Sequence, residues 1–174
     1  ASRSFGTKVR DFQSLKESIS SHAARCAEKL RSEKGCARYV SVVIKTNPFS
    51  DSDYYCGYKS SSFDVPTNDT LDIINAAENI LRSIYKKGLE YKKSGVIVGD
   101  IIPQNQVQLN LFDMDEKRIK RKKLDSTVDI INQAMGRSTI HIGSQGIAKN
   151  WQLKREKLSP CYTTKWDDLL TINC

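Results

Sequence analysis

Apolar residues recur along the chain with two different periods, and these periods predict its secondary structure. Alternation is typical of a β-strand, because successive side chains of a strand point to opposite faces. The alternating stretches are residues 2–10, 37–46, 54–65 and 94–102. Apolar residues three or four positions apart predict α-helices between Phe12 and Leu30 and between Leu71 and Tyr85. The predicted order of elements is therefore β-α-β-β-α-β.

Polar and glycine residues predict where these two helices begin and end. Ser14 and Glu17 have the spacing of a capping box at the start of the first helix. Residues 67–69 offer N-cap side chains for the second helix. Gly35 is expected to end the region of the first helix, and Gly88 to follow the end of the second.

The order of elements predicts an α+β fold with one four-stranded sheet and both helices on one face of it. The other face of the sheet is then left open. Small residues such as Gly6 and cations such as Lys45 are expected on this face. Such a surface can lie along a nucleic acid, and the alternative is a sheet face that is simply solvated.

Five residues with the form of a docking peptide, Gln108 to Phe112, follow the last predicted strand. Two leucines and a phenylalanine can fill apolar clefts on a partner, while the glutamine amide fixes the register through hydrogen bonds. The alternative is a short strand, because Leu109 and Leu111 alternate with Gln108 and Asn110.

The remaining chain predicts a smaller structured part. A basic run at residues 117–123 is either a phosphate-binding segment or a solvated linker. A short helix is predicted from Leu124 to Met135, and a strand from Thr139 to Ile142. The predicted divisions are a compact domain at 1–103, a peptide with a basic linker at 104–123, and a small α/β appendage at 124–174.

The composition favours a polyanionic partner. The net charge is +8 and the pI about 9.3, and nucleic acid is the usual partner of such a protein. The five cysteines form no Cys-x-x-Cys pair, which argues against a structural zinc site and against a disulfide framework. His22 and Cys26 share a helix face, where a packing role is expected rather than metal binding. No apolar run has the length of a membrane span.

Four stretches carry a resemblance to a known family. Residues 2–6, 44–49 and 72–77 resemble the little finger domain of Y-family translesion DNA polymerases of the UmuC type. Residues 151–164 closely resemble the C-terminal signature of the same polymerases, except that Cys161 stands where a basic residue is expected. Gln108 to Phe112 lies where these polymerases carry their clamp-binding motif. The resemblance covers essentially the whole chain.

The resemblance implies two binding surfaces. Docking to the ring-shaped sliding clamp is expected through Gln108, Leu109, Leu111 and Phe112. The open face of the sheet is expected to lie along damaged double-stranded or primer-template DNA and to contact its backbone rather than its bases. The residues expected to make these DNA contacts are Arg3, Ser4, Lys8, Lys45 and Lys59.

The resemblance also implies a non-catalytic region of a larger polymerase. The palm carboxylates that hold Mg ions in such enzymes belong to a preceding region, so no catalytic residue, metal or cofactor is expected in this chain. The first residue is not methionine, and we expect a piece of a longer protein. The family further implies contacts with UmuD′ and the RecA filament, a role in the SOS response, and a bacterial cytoplasmic location.

Two other functions remain open from the sequence. One is a sheet that binds RNA or single strands by stacking bases on Tyr39, Tyr55 and Phe63. The other is a protein-interaction scaffold whose charges never touch DNA, so that loss of Lys45 or Lys59 has no effect on DNA affinity.

Overall fold

Alternation and helical periodicity place the elements in the order predicted from the sequence. The structure, a computed structural model, describes residues 1–50, 54–108, 115–153 and 159–169, with the backbone alone at 115–117. Its elements are β1 (Ser2–Val9), α1 (Phe12–Ser32), β2 (Gly35–Thr46), β3 (Cys56–Thr67), α2 (Thr70–Ile84), β4 (Tyr91–Pro103) and α3 (Asp115–Met135). The predicted β-α-β-β-α-β order and α+β class are therefore confirmed.

The strands of the described residues form one antiparallel four-stranded sheet in the order β1-β4-β2-β3. The central pair is β2 and β4, in which Val42 lies opposite Val96 and Lys45 opposite Lys93. Paired residues share one face of a sheet. This register therefore decides which side chains face the helices and which face away.

The hydrophobic core lies between the sheet and the two helices, as the alternation predicts. Val40, Val42 and Ile44 of β2 are fully buried on the face that α1 and α2 cover. The fully buried helical side chains that pack against this face include Leu15, Ile19, Ala23, Ile73, Ala77 and Leu81. Burial of one such large apolar side chain contributes about 1.5–3 kcal/mol.

Two aspartates cap the helices at their N-termini. The backbone N–H of Ser14 donates to Asp11 Oδ1 at 2.7 Å, so Asp11 caps α1 and the predicted capping box at Ser14 is wrong. The physical reason is that the Asp11 carboxylate, on an extended backbone, already satisfies the first free N–H groups. Asp69 caps α2 through the N–H of Asp72 at 2.9 Å, within the predicted residues 67–69.

Helices α1 and α2 do not end at the glycines that the sequence predicted. Helix α1 ends at Ser32, and Gly35 is already the first residue of β2. Helix α2 ends at Ile84, and Gly88, with φ of +91°, lies in the following turn to β4. In both places the helix ends before the glycine is reached.

Helix α3 is longer than predicted and begins at Asp115 rather than at Leu124. The basic run therefore lies within a helix, because its long side chains favour helical backbone. Helix α3 ends at Met135, before Gly136 with φ of +109°, as predicted. The exposed face of α3 includes Ile119 and Ile130.

Arg31 at the end of α1 holds α3 against the core. Its guanidinium donates to both carboxylate oxygens of Asp129, at 2.6 and 2.8 Å, and to Asp125 at 3.2 Å. Asp125 also accepts the N–H of Thr70, at 3.0 Å, and so caps α2 from outside the helix. One arginine thus connects α1, α2 and α3.

The predicted strand at Thr139–Ile142 is wrong, and the part of the chain described after Gln108 contains no strand. The side-chain amide of Asn132 donates to the Ile140 carbonyl and accepts the Ile140 N–H, both at 2.9 Å. These bonds use the backbone groups that a sheet partner needs. The segment is therefore attached to α3 as a turn.

The segment after this turn packs against the first domain. Trp151 is 5% exposed, and its ring meets the rings of Phe5 and His22 edge-on. The Gly6 N–H donates to the Trp151 carbonyl at 3.1 Å. A Cβ at Gly6 would lie 2.6 Å from the Gln152 carbonyl oxygen, so this chain itself occupies the space that the sequence suggested for a ligand. The domain boundaries at 103 and 123 remain a prediction, and contacts cross both.

We expect Arg31→Ala to lower the free energy of unfolding by about 3 kcal/mol, because it leaves two half-buried carboxylates without their partner. Denaturant unfolding measures this change, and hydrogen exchange should show faster exchange throughout α3. Arg25→Ala is the matched control, since Arg25 pairs with Glu28 on an exposed surface and should cost less than about 1 kcal/mol. Equal effects of the two changes would contradict the role of Arg31.

We expect the protein to lose stability as the pH falls from about 6.5 to about 4. Burial of the ring lowers the pKa of His22 to about 4, so the unfolded chain takes up a proton before the folded one does. The free energy of unfolding then falls by up to about 1.4 kcal/mol per pH unit in this window.

Denaturant unfolding of the wild type and of His22→Gln across this pH range tests the prediction. The free energy of unfolding of His22→Gln should depend less on pH than that of the wild type. His141→Gln removes the other histidine of the chain and should leave the dependence unchanged. A wild-type profile that is flat between pH 6.5 and 4 would contradict the buried neutral state of His22.

Candidate nucleic-acid interface

The face of the sheet opposite α1 and α2, here called the open face, is built from rows of paired residues. Its first row is Ser4, Lys93 and Lys45, which lie opposite one another on β1, β4 and β2. The rows beyond it contain mostly small residues. They are Ser2, Gly95, Val43 and Tyr58, then Ile97, Ser41 and Ser60, then Gly99, Tyr39 and Ser62.

The rows beyond the first are only partly open. Ser2, Ser60 and Ser62 are exposed, but Ser41 is fully buried under Tyr58, which donates to it at 3.2 Å, and Tyr39 covers Gly99. Tyr58 and Ile97 themselves are exposed on this face. A sugar-phosphate backbone can therefore approach the sheet closely at the first row rather than along these rows.

Two lysines face each other at one end of the open face. Lys45 and Lys93 are directly opposite in register, and like charges in this position destabilise a sheet. Within the described residues neither ammonium forms an ion pair or a hydrogen bond with the protein. An anion placed between them relieves this repulsion, which makes the row a candidate phosphate site.

The sequence predicted two members of this row and missed the third. Ser4 and Lys45, expected as DNA contacts, lie on the open face on either side of Lys93. Lys93 belongs to a Lys-Lys pair just before the alternating stretch 94–102. Only the pairing of β4 with both neighbours shows that Lys93, rather than Lys92, faces outward.

Arg3 and Lys59 lie on the other face of the sheet. Arg3 is opposite the buried Ser94, and Lys59 is opposite the buried Val42. Both partners face the helices, so the structure does not group these cations with Lys45. Lys59 remains exposed because β3 is an edge strand.

Lys8 has a partner within the protein. Its ammonium lies 2.5 Å from Glu90, which also pairs with Arg10. The hydrogen bonds from Lys8 and Arg10 lower the pKa of the Glu90 carboxyl. The charge of Lys8 is thus partly neutralised, which makes this position a weaker candidate for phosphate contact than Lys45 or Lys93.

The aromatic residues proposed for base stacking do not form a platform. The Tyr55 hydroxyl donates to the Ile84 carbonyl at 2.6 Å, and the rings of Tyr55 and Phe63 pack against the core. Tyr39 is on the open face, where its ring occupies the space above Gly99. The structure therefore contradicts the three-aromatic arrangement, because Tyr55 and Phe63 point toward the helices.

The docking peptide lies mostly outside the described residues. Gln108 is described and exposed, whereas Leu109, Leu111 and Phe112 fall between residues 108 and 115. Their clamp contacts remain a prediction from the sequence.

The described residues offer neither a metal centre nor a helix suited to span a membrane. They contain no group of three or more histidine, cysteine or acidic side chains placed to hold a metal ion. Among them, no helix combines the length and apolar character that a membrane crossing requires.

Comparison with known proteins gives the family of the chain. Residues 1–111 match the model of the impB/mucB/samB family C-terminal domain, and residues 122–172 match the model of a domain of unknown function. A solved complex of the beta-clamp processivity factor and the little finger domain of PolIV contains a similar chain. The two are 16% identical with a TM-score of 0.43, over 65% of this chain and 96% of that one.

Three relatives match nearly the whole chain. It is 42% identical to the protein UmuC of Salmonella typhimurium, over 98% of this chain and 41% of the relative. It is 41% identical to the protein SamB of Salmonella typhimurium, over 97% of this chain and 40% of SamB. It is 36% identical to the protein MucB of Escherichia coli, over 95% of this chain and 39% of MucB. The chain thus spans about two fifths of their length. It belongs to the impB/mucB/samB family, which includes the UmuC proteins, and contains that family's C-terminal domain.

Proposed function

We propose that this chain is the DNA-gripping and clamp-docking region of an error-prone translesion DNA polymerase. The open face lies along the backbone of primer-template DNA, and residues 108–112 bind the sliding clamp. The observation that carries the DNA part is the row of Ser4, Lys93 and Lys45, in which the two lysines face the same side and have no acidic partner among the residues that the structure describes.

The chemistry of this row suits contact with phosphates. Each ammonium presents three donors to phosphate oxygens, and the serine hydroxyl adds another. Neutralised phosphates release their counterions, which favours binding at low salt. The positive charge of the whole chain acts in the same direction.

Backbone contact suits a polymerase that copies damaged templates. Phosphates are the same whatever base they carry, so a grip on them does not discriminate against a lesion.

The clamp part of the proposal rests on the sequence and on the family. The peptide residues Gln108, Leu109, Leu111 and Phe112 come a few positions after the end of β4 at Pro103, where the matched family domain ends at residue 111. A glutamine followed by alternating leucines and a phenylalanine can fill apolar pockets while its amide fixes the register.

In this proposal, the rest of the polymerase catalyses nucleotide transfer. We place the metal-binding carboxylates in the part of the relatives that this chain does not span, and assign no catalytic residue here. Association with UmuD′ and the RecA filament, an SOS role and a cytoplasmic location belong to the same proposal. A scaffold that never touches DNA is the alternative, and the following experiment distinguishes the two.

We expect Lys45→Ala together with Lys93→Ala to weaken binding to a primer-template duplex at every sequence tested. Two lost phosphate contacts should reduce the slope of log K against log salt by about 2. Fluorescence anisotropy over a salt series measures both quantities.

The matched control is Lys29→Ala together with Lys87→Ala, which removes two exposed lysines outside the row and should change the slope far less. Lys59→Ala separately tests the strand register that places Lys59 on the other face of the sheet. Its DNA affinity and salt slope should match those of the control. Equal losses from the row variant and the control, or binding by neither wild type nor variant, would favour the scaffold.

We expect Leu111→Ala together with Phe112→Ala to weaken binding to the bacterial sliding clamp at least tenfold, because both apolar anchors are lost. Surface plasmon resonance with immobilised clamp measures the affinity. Asn110→Ala is the control within the same peptide, at the position where the pattern accepts any residue. If the folded wild-type chain does not bind the clamp, the docking peptide is refuted while the DNA proposal stands.

A further inference from the structure

A second concave surface lies on the helix side of the sheet and extends as far as Arg3 and Ser4 of the edge strand β1. This helix-side cleft has a volume of about 1220 Å³ and runs between α1 and α3, with residues 137–153 closing its far side. Pockets for small ligands usually measure about 300–1,000 Å³. The helix-side cleft is therefore large enough for several side chains of a peptide.

Apolar side chains form much of its walls. Leu124, Ile140 and Leu153 line the cleft and are 58%, 42% and 51% exposed. Val128 of α3 and Ile142 lie beside them. A partner that covers these groups removes their apolar surface from water, which stabilises the complex.

The acidic side chains of the cleft already have partners. Asp125 and Asp129 are bound by Arg31, and Glu28 is bound by Arg25. The Asp69 carboxylate accepts the backbone N–H of Asp72 in the first turn of α2. These carboxylates therefore leave little negative charge to offer a ligand.

Three cations of the same cleft lack acidic partners. Arg3, Arg137 and Lys149 line it, and within the described residues none of them forms a salt bridge or donates a side-chain hydrogen bond. Arg3 is the residue that the register turns away from the open face. The cleft thus combines apolar walls with an excess of uncompensated positive charge.

We propose that the helix-side cleft binds an acidic peptide segment with apolar side chains, supplied by a partner protein. Carboxylates of the segment pair with Arg3, Arg137 and Lys149, and its apolar side chains pack on Leu124, Ile140 and Leu153. DNA fits this surface poorly, because a phosphate backbone has no apolar groups to cover the walls. The inference is independent of the proposed grip on DNA.

Selection from a phage-displayed library of random peptides against the folded chain tests the inference. We expect enrichment of sequences that combine Asp or Glu with Leu, Ile or Phe. Arg137→Glu together with Lys149→Glu should weaken binding of the enriched peptides at least tenfold. Leu124→Asp should also weaken their binding, because it places a charge on the apolar wall of the cleft. Lys59→Glu together with Lys87→Glu changes the net charge equally, outside the cleft, and should leave affinity within about twofold.

Three results would overturn the inference. These are no enrichment against wild type, enrichment of peptides without acidic residues, or equal losses from the cleft and control pairs. Circular dichroism establishes that each variant is folded. A duplex DNA competitor separates the two surfaces, since displacement of the peptides by DNA would place them on the open face instead.

Discussion

The pairing of β2 with β4 is the constraint on which the rest of this structure depends. These two strands occupy the centre of the sheet, and both edge strands take their positions from them. A slip of one residue would exchange every side chain between the two faces. It would place Val40, Val42 and Ile44 in water and Lys45 under the helices. The buried face therefore fixes the register, and the register in turn brings Ser4, Lys93 and Lys45 into one row.

The sequence predicted the elements well because their periodicity reports burial directly. Alternation in β2 and helical spacing in α1 and α2 both reflect one apolar side, and the structure buries that side. Pairing between strands leaves no such trace in a single sequence. The family resemblance groups Arg3 and Lys59 with Lys45 as DNA contacts, and their strand partners Ser94 and Val42 show that both face the other way.

The remaining differences arise where side chains compete for backbone groups. Asp11 accepts the backbone N–H of Ser14, which the predicted capping box would need. Asn132 accepts the backbone N–H of Ile140, which the predicted strand would need. The position of α3 against the core has a related cause, since Arg31 binds Asp125 and Asp129 in its middle. Contacts between residues about a hundred positions apart cannot be read from local patterns. The grip of Arg31 also makes α3 one wall of the helix-side cleft.

The attachment of the chain on both sides of the docking peptide has a consequence for function. Before the peptide, the Gln104 N–H donates to the Lys34 carbonyl at 2.8 Å; after it, Arg118 donates to the Pro66 carbonyl at 2.9 Å. From Gln104 to Phe112 an extended chain spans at most about 29 Å. A partner that holds the peptide is thus kept within a short tether of the sheet, at the high local concentration that such linkage gives. Under the proposed function, capture at one surface would make engagement of the other an intramolecular event, so that the two contacts together would slow release.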